Sequence, residues 1–304
     1  MSQTFTLQEA ISASTAYFEG DELAAKTWAN KYALQDSDGT LYEKTPADMH
    51  RRLAKEIARI EQKYPNPMTE DELFQLFDHF KYIVPQGGPM TGIGNDRQLT
   101  SLSNCFVIGN EEGADSYGSI MRADEEQLQL VKRRGGVGHD LSHLRPANAK
   151  VSNAALTSTG AASFMERYSN SMREVGAMGR RGALMLSLSV NHPDASRFID
   201  MKMDSTKVTG ANVSVKIDDE FMDAVEKDST YIQKFPIYSD NPQITKEIFA
   251  PALWKKIIHN AWKSAEPGVL FWDTIIRESV ADCYSDLGFQ TVSTNPSLQV
   301  IQHF

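Results

Sequence analysis

Hydrophobic side chains in the first part of the chain recur at the spacing of amphipathic helices. One predicted helix has its apolar positions at Met49, Leu53, Ile57 and Ile60. Thr45-Pro46 is a favourable start for this helix, because Asp48 is placed to complete a capping box. A second capping box, formed by Thr69 and Glu72, predicts the next helix. The chain therefore begins with a helical segment.

Glycine and proline then interrupt this helical pattern over residues 85–97, PQGGPMTGIGNDR. Both residue types are typical of turns and irregular segments, so we predict a loop here. The pattern is compatible with a linker between two domains. It is equally compatible with a loop whose backbone amides contact a ligand.

Beyond residue 100, apolar runs of strand length alternate with helical patterns. Strands are predicted at 102–109, near 139–144, over 184–190, around Val213–Ile217 and before Asn295-Pro296. Helices are predicted from Asp115 and Ser116 to about Arg133, over 161–175, after His192-Pro193-Asp194, and on a face formed by Trp254, Ile257, Ile258, Ala261 and Trp262. This alternation predicts an α/β domain with a largely parallel sheet. We divide the chain into a helical domain, 1–95, and an α/β domain, 96–304.

Composition narrows the class of protein. Of the 304 residues, 41% are hydrophobic and 23% charged, as in ordinary globular proteins, and no apolar run reaches the roughly 18 residues of a membrane span. The first residues do not resemble a signal peptide, so we expect a cytoplasmic protein. The net charge of −9 argues against general nucleic-acid binding. Two cysteines and scattered histidines show no metal-binding spacing.

Basic residues flank two glycine-rich stretches. KRRGGVGHDLSHLR, residues 132–145, combines cations with glycines that let a ligand approach the backbone. GAMGRRGAL contains Arg180 and Arg181 in a predicted loop. Each stretch is compatible with a phosphate-binding loop and with a solvated surface turn.

Several long motifs together resemble the catalytic subunit of ribonucleotide reductase. They are LSNCFVIG, RRGGVGHDLSHLRP, TSTGAASFMERYSNS, GRRGALMLSLSVNHPD and VSTNP, in the order of that family and at about its spacing. The resemblance covers roughly residues 80–296. It implies a ten-stranded α/β barrel with a central finger loop, in which a thiyl radical starts the reduction of ribonucleotides and two further cysteines supply electrons.

The resemblance also implies roles for individual residues. Cys105 is similar to the first reducing cysteine, and Asn295 to the asparagine before the radical cysteine. The positions that hold the substrate phosphates or ribose in the family are matched here by Gly88, Thr91 and Asn104. The family often has Ser or Thr at the first of these positions. The positions that bind the base and sugar of an allosteric effector are matched by Asp115, Ser116 and Tyr117. The cations around its phosphates are matched by Lys132 and Arg145. Arg180 resembles a loop arginine that relays effector identity to the substrate base.

The chain departs from the family at the radical position. Ser297 stands where the family has the radical cysteine, and Gln299 stands where it has a glutamate. A serine O–H is much stronger than a thiol S–H, so serine cannot form the equivalent radical. Relative to the family pattern, we expect the second half of the barrel and the partner reducing cysteine to be missing from this chain. We therefore expect an N-terminal helical segment and the first half of the barrel, inactive by itself and prone to self-association through exposed sheet edges.

Three origins of this half-length chain stay open: a split enzyme completed by a second polypeptide, an intein precursor with Ser297 as the first intein residue, and a truncation or frameshift. The form TNP before Ser297 resembles adenosylcobalamin-dependent enzymes, with a separate metal-containing radical subunit as the alternative. The resemblance implies a ribonucleotide substrate, a deoxynucleoside triphosphate or ATP effector, a homodimer, a thioredoxin-like reductant and a C-terminal half as partners. It implies no membrane or nucleic-acid partner. A non-catalytic nucleotide-binding module is the alternative function.

Overall fold

The chain forms two compact units, Met1–Asn104 and Cys105–Phe304. The computed structural model describes residues 3–109, 115–177, 180–280, 282–294, 296 and 300–303, with the backbone alone at 176–177, 180–181 and 300–303. The division after Asn104 lies nine residues beyond the predicted domain boundary at residue 95. No helix in these described ranges is both long and apolar enough to cross a membrane.

The first unit is helical, as predicted. Its helices are α1 Leu7–Tyr17, α2 Glu22–Lys31, α3 Pro46–Glu61, α4 Glu70–Phe77 and α5 Gly87–Gly92. The Asp48 carboxylate accepts a hydrogen bond of 2.9 Å from the Thr45 amide at the start of α3. The Glu72 amide donates to the Thr69 hydroxyl at 3.2 Å at the start of α4. Both predicted capping boxes are confirmed, and the helices pack around a buried core that includes Trp28.

The prediction of a loop throughout residues 85–97 is wrong, because Gly87–Gly92 forms the short helix α5. Pro89 is tolerated there because the amides of a first helical turn have no partner within the helix. At the other end of α5 the Arg52 guanidinium donates to the Met90 carbonyl oxygen at 2.9 Å. Tertiary hydrogen bonding thus stabilises a helix that its local composition disfavours.

The second unit is α/β. Its helices are α6 Tyr117–Val131, α7 Ala161–Glu174, α8 Ala195–Asp200, α9 Asp219–Glu226, α10 Ala250–Ser264 and α11 Trp272–Glu278. Its strands are β1 Cys105–Ile108, β2 Gly136–Asp140, β3 Gly176–Ala177, β4 Arg180–Arg181, β5 Leu184–Ser189, β6 Asn212–Ile217, β7 Thr230–Phe235, β8 Ile244–Phe249, β9 Gly268–Phe271, β10 Gln290–Thr294 and β11 Val300–His303. The order β1-β2-β5-β6-β9 is parallel throughout, and β3–β4, β7–β8 and β10–β11 are antiparallel pairs. This confirms the predicted α/β class and parallel sheet.

Both faces of the central strand β5 are covered. The alternation in Leu184–Ser189 predicted a strand, and the serine at position 187, on the side opposite the leucines, is also fully buried. On the leucine side the strand belongs to a core that includes Met165 of α7 and Phe198 of α8. On the other side the Ser187 hydroxyl lies 3.3 Å from the Ser293 hydroxyl of β10. The segment β10 therefore lies across the polar face of the sheet.

The glycine-rich stretch after Arg134 forms a buried strand. The strand predicted near 139–144 begins earlier, at Gly136, and every residue of β2 is buried between β1 and β5. A Cβ added to Gly135 would approach the ring of Phe106 to 2.9 Å. These glycines thus allow close packing, and the interpretation of them as a phosphate-binding loop is wrong.

The predicted apolar face of α10 is partly wrong. Ile257 is buried, but Ile258 is 51% exposed and Trp262 is 79% exposed. A polar residue occupies part of the buried face, because the Asn260 side-chain amide donates to the Ile199 carbonyl oxygen at 3.1 Å. A satisfied hydrogen bond makes this burial tolerable, and hydrophobicity alone does not reveal it.

Buried His139 makes stability depend on pH. Burial is the largest influence and lowers its pKa to about 3, while Nε2 lies 2.9 Å from the Gln127 side-chain oxygen. Unfolding returns the imidazole to its usual pKa of about 6.5, so the unfolded state binds the proton first as the pH falls below that value. We expect His139 to contribute roughly 1–2 kcal/mol to the fall in unfolding free energy between pH 7 and pH 5.

Urea unfolding at both pH values measures this contribution. His139→Gln should reduce the pH dependence, whereas His259→Gln, on an exposed part of α10, should leave it as in the wild type. An unchanged pH dependence in His139→Gln contradicts the assignment.

Candidate active site

Three residues with an implied role in substrate binding lie together in the first unit. The Gly88 amide donates to the Asn104 side-chain oxygen at 2.5 Å, and the Asn104 side-chain nitrogen donates to the side chain of Gln86. Thr91 is buried, and its hydroxyl donates to the Gly87 carbonyl oxygen at 2.9 Å. The structure therefore brings together Gly88, Thr91 and Asn104 around the start of α5.

Cys105 lies at the amino end of β1, where it pairs with Gly136 of β2. The thiol is partly buried. A Cβ on Gly136 would meet the Cys105 sulfur at 3.3 Å and the Pro296 ring at 3.2 Å, so the sulfur and the proline ring are neighbours. The chain that follows β10 thus passes beside Cys105. Asn295 and Ser297 lie outside the described residues.

Asp115 and Arg145 form an ion pair beyond the carboxyl ends of β1 and β2. The Arg145 Nε donates to the Asp115 Oδ2 at 2.6 Å, and the Arg145 amide donates to Oδ1 at 2.8 Å. The helix predicted to start at Asp115 and Ser116 begins at Tyr117, and Ser116 caps it with its hydroxyl. Tyr117 is 66% exposed and contacts Phe164 edge to face. Four of the effector residues predicted from the sequence therefore lie close together.

Lys132 lies far from these four residues within one chain. It is exposed and follows the last residue of α6, whereas Ser116 caps the first turn of that 15-residue helix. At 1.5 Å per residue the two ends of α6 are about 22 Å apart. Arg180 belongs to β4 and pairs with Ala177 of β3. The side chain of Arg180 lies outside the described part of the structure.

A cleft of about 1620 Å³ opens at the carboxyl ends of the parallel strands. This end of an α/β sheet is the usual place for a ligand. Its walls combine the rings of Trp272 and Tyr238 with the polar side chains of Asp115, Ser142 and Asp282. The cleft can therefore accept a ligand that has both flat apolar and hydrogen-bonding surfaces.

The floor of this cleft contains a buried ion pair that the sequence analysis missed. The Lys216 ammonium lies 2.7 Å from the Asp140 carboxylate, and the two side chains are 1% and 9% exposed. Burial opposes the charge on Asp140, but Lys216 and a 2.6 Å hydrogen bond from Ser142 outweigh it and lower the pKa of that carboxyl. A lysine between Val215 and Ile217 in a predicted strand was the available signal. Among the described residues no group of three or more His, Cys, Asp or Glu is placed to hold a metal.

Family models agree with the two-unit architecture. Residues 103–286 match the barrel domain of ribonucleotide reductase, and residues 18–89 match the all-alpha domain of that family. The chain belongs to the ribonucleotide reductase family. The five parallel strands of the second unit fit part of the predicted barrel.

Several of the proteins most similar to this chain are named vitamin B12-dependent reductases. The vitamin B12-dependent ribonucleoside-diphosphate reductase of Thermoplasma acidophilum is 29% identical over 90% of this chain and 42% of that protein. The enzyme of the same name from Mycobacterium tuberculosis is 31% identical over 81% of this chain and 35% of that protein. The ribonucleoside-diphosphate reductase NrdEB subunit alpha of Bacillus subtilis is 27% identical over 52% of this chain and 15% of that protein. The chain thus spans less than half the length of these curated relatives.

Gly88 allows the close contact between α5 and Asn104. A Cβ at this position would lie 3.0 Å from the Asn104 side-chain oxygen and 3.1 Å from the Leu102 carbonyl oxygen. We expect Gly88→Ala to destabilise the first unit by about 1–3 kcal/mol through overpacking. Thermal unfolding measures the effect.

Gly118→Ala is the matched helical control, since an added Cβ there meets only Ser116 at 3.9 Å. It should stabilise α6 by roughly 0.5–1 kcal/mol. Equal stability of Gly88→Ala and the wild type would show that α5 does not require this close approach.

Proposed function

We propose that the chain is the N-terminal part of a ribonucleoside-diphosphate reductase, which reduces ribonucleotides to deoxyribonucleotides for DNA synthesis by a radical mechanism. The observation that carries this proposal is the position of Cys105. Its thiol lies at the amino end of β1 with Pro296 beside it, which brings the segment after β10 next to a redox-capable sulfur.

Each part of the reaction then has candidate residues. Gly88, Thr91 and Asn104 bind the phosphates or ribose of the substrate. Their contacts around the start of α5 support this, because the Asn104 amide is already oriented by Gly88. Cys105 supplies one of the two reducing thiols and forms a disulfide with a second cysteine as the substrate takes up two electrons. A thioredoxin-like dithiol then reduces that disulfide.

Ser297 makes this chain dependent on another polypeptide segment. A serine hydroxyl does not replace the radical thiol, and the 304 residues include just two cysteines, Cys105 and Cys283. The curated relatives extend well beyond the matched part. We infer that turnover needs counterparts of their remaining portions, on the same or on another chain, including a radical cysteine and the second reducing cysteine.

The names of the relatives point to cobalamin as the cofactor. The cleft has room for a large cofactor, since about 1620 Å³ exceeds the 300–1,000 Å³ of common ligand pockets. The rings of Trp272 and Tyr238 offer apolar surfaces, and Ser142 and Asp282 offer hydrogen-bonding groups. Adenosylcobalamin supplies a radical when bound. The residues of this chain contribute binding surface, and further contacts come from the counterpart segments.

Turnover measurements test the proposal. The purified chain, supplied with a ribonucleoside diphosphate, a dithiol and adenosylcobalamin, should form no deoxyribonucleotide. Adding a polypeptide that corresponds to the remaining portion of the relatives should allow product formation, and Cys105→Ser should abolish it. Turnover by this chain alone contradicts the need for a counterpart. Failure with every counterpart contradicts the reductase assignment.

A second candidate function is a nucleotide-binding module without chemistry. The group of Asp115, Ser116, Tyr117 and Arg145 favours it, because this group does not depend on position 297. Each carboxylate oxygen of Asp115 has two lone pairs, so one remains for a ligand hydroxyl beside the bond to Arg145. The exposed ring of Tyr117 can stack on a base. In a homodimer, Lys132 of a second copy would supply a further phosphate contact.

Calorimetry with the four deoxynucleoside triphosphates tests this site. We expect Arg145→Ala to weaken binding by about 1–3 kcal/mol, because it removes a charge-assisted hydrogen bond to phosphate. Arg59→Ala is the charge-matched control on the exposed surface of α3. Absence of binding by the wild type at a concentration where it dimerises contradicts the effector site, and equal losses in both variants contradict the role of Arg145.

A further inference from the structure

The segment β10 connects the cleft with the thiol of Cys105. Val292 of β10 lines the cleft at the carboxyl ends of the strands. Only four residues later, Pro296 lies beside the Cys105 sulfur at the amino ends of the strands. The position of β10 on the sheet therefore bears on where the proline lies relative to that sulfur.

Lys216 contacts β10 from the sheet below it. Its ammonium donates to the Val292 carbonyl oxygen at 3.2 Å and to the Asp140 carboxylate at 2.7 Å. The same nitrogen lies 3.7 Å from the centre of the Trp272 ring. Two of the three donors of the ammonium group make these hydrogen bonds, and its charge lies against the face of the Trp272 ring. The nitrogen is thus held from three directions.

The chemistry of this arrangement favours one position of β10. A buried ammonium requires compensation for its lost hydration, and Asp140 supplies the opposite charge. One N–H then remains directed at β10, where the Val292 carbonyl oxygen accepts it. Displacement of β10 would leave a buried charged donor without its acceptor, which is costly. The Ser187–Ser293 hydroxyl contact of 3.3 Å lies one residue further along β10.

We propose that Lys216 is a positioning residue that holds β10 on the sheet and thereby places Pro296 against the Cys105 thiol. Its relevance to catalysis rests on the proposed function, in which Cys105 is a reducing cysteine. The structural device itself is independent of turnover, so it can be tested without nucleotide, cofactor or counterpart chain.

Thiol alkylation provides the test. In a Cys283→Ser background, iodoacetamide reports on Cys105 alone. We expect Lys216→Met to raise the alkylation rate on the order of tenfold. The lost charge-assisted hydrogen bond stabilises the closed position of β10, so its removal favours local opening. Amide hydrogen exchange over Gln290–Thr294 should accelerate in parallel, while exchange in the β7–β8 hairpin should not.

Two further variants separate positioning from stability. Asp140→Asn combined with Lys216→Met removes both charges, so it should recover thermal stability relative to Lys216→Met and still alkylate fast. Lys202→Met is the matched control, because Lys202 pairs with Glu266 at 3.0 Å and donates to two carbonyl oxygens away from β10. It should lower stability without changing Cys105 alkylation. Wild-type alkylation in the double variant, or equal acceleration in Lys202→Met, would overturn the proposal.

Discussion

Parallel pairing of β1, β2, β5, β6 and β9 is the constraint on which the second unit depends. Because all five strands run in one direction, their amino ends share one edge of the sheet and their carboxyl ends share the other. Cys105 begins β1 and so lies at the first edge. Asp140 is the last residue of β2, so it lies at the edge formed by the carboxyl ends, where it lines the cleft. The two chemically distinct regions are separated by the length of the strands.

The polar face of this sheet contains a buried pair of charged side chains, Asp140 and Lys216. The Asp140–Lys216 pair is nearly inaccessible to water, so neither charge is tolerated without the other. A buried pair of this kind adds little net stability, yet it favours one arrangement of its neighbours. Here those neighbours are Ser142, Trp272 and β10, which connect the floor of the cleft with the chain beside Cys105.

The glycine-rich stretch shows how one pattern can serve two different purposes. The pattern at Gly135 and Gly136 resembles that of a ligand-binding loop, because glycine has no Cβ and lets any group approach its backbone closely. In the structure the approaching groups are the Phe106 ring, the Cys105 sulfur and Pro296. The cations at the two ends of the stretch also lie apart, since Lys132 follows the last residue of α6 and Arg145 binds Asp115. Close packing therefore explains these glycines.

The sequence by itself determined the features that depend on local periodicity and local hydrogen bonds. The capping boxes at Thr45 and Thr69, the helices they start, and the alternation that forms β5 and β6 are of this kind, and long motifs in order identified the family. Tertiary structure alone decided which residues meet. Helix α5 depends on Arg52 from α3, and Lys216 meets Asp140 from a strand 76 residues earlier in the chain. Such contacts follow from the packing of distant segments, so the lysine within a predicted apolar strand signalled a buried charge but did not identify its partner.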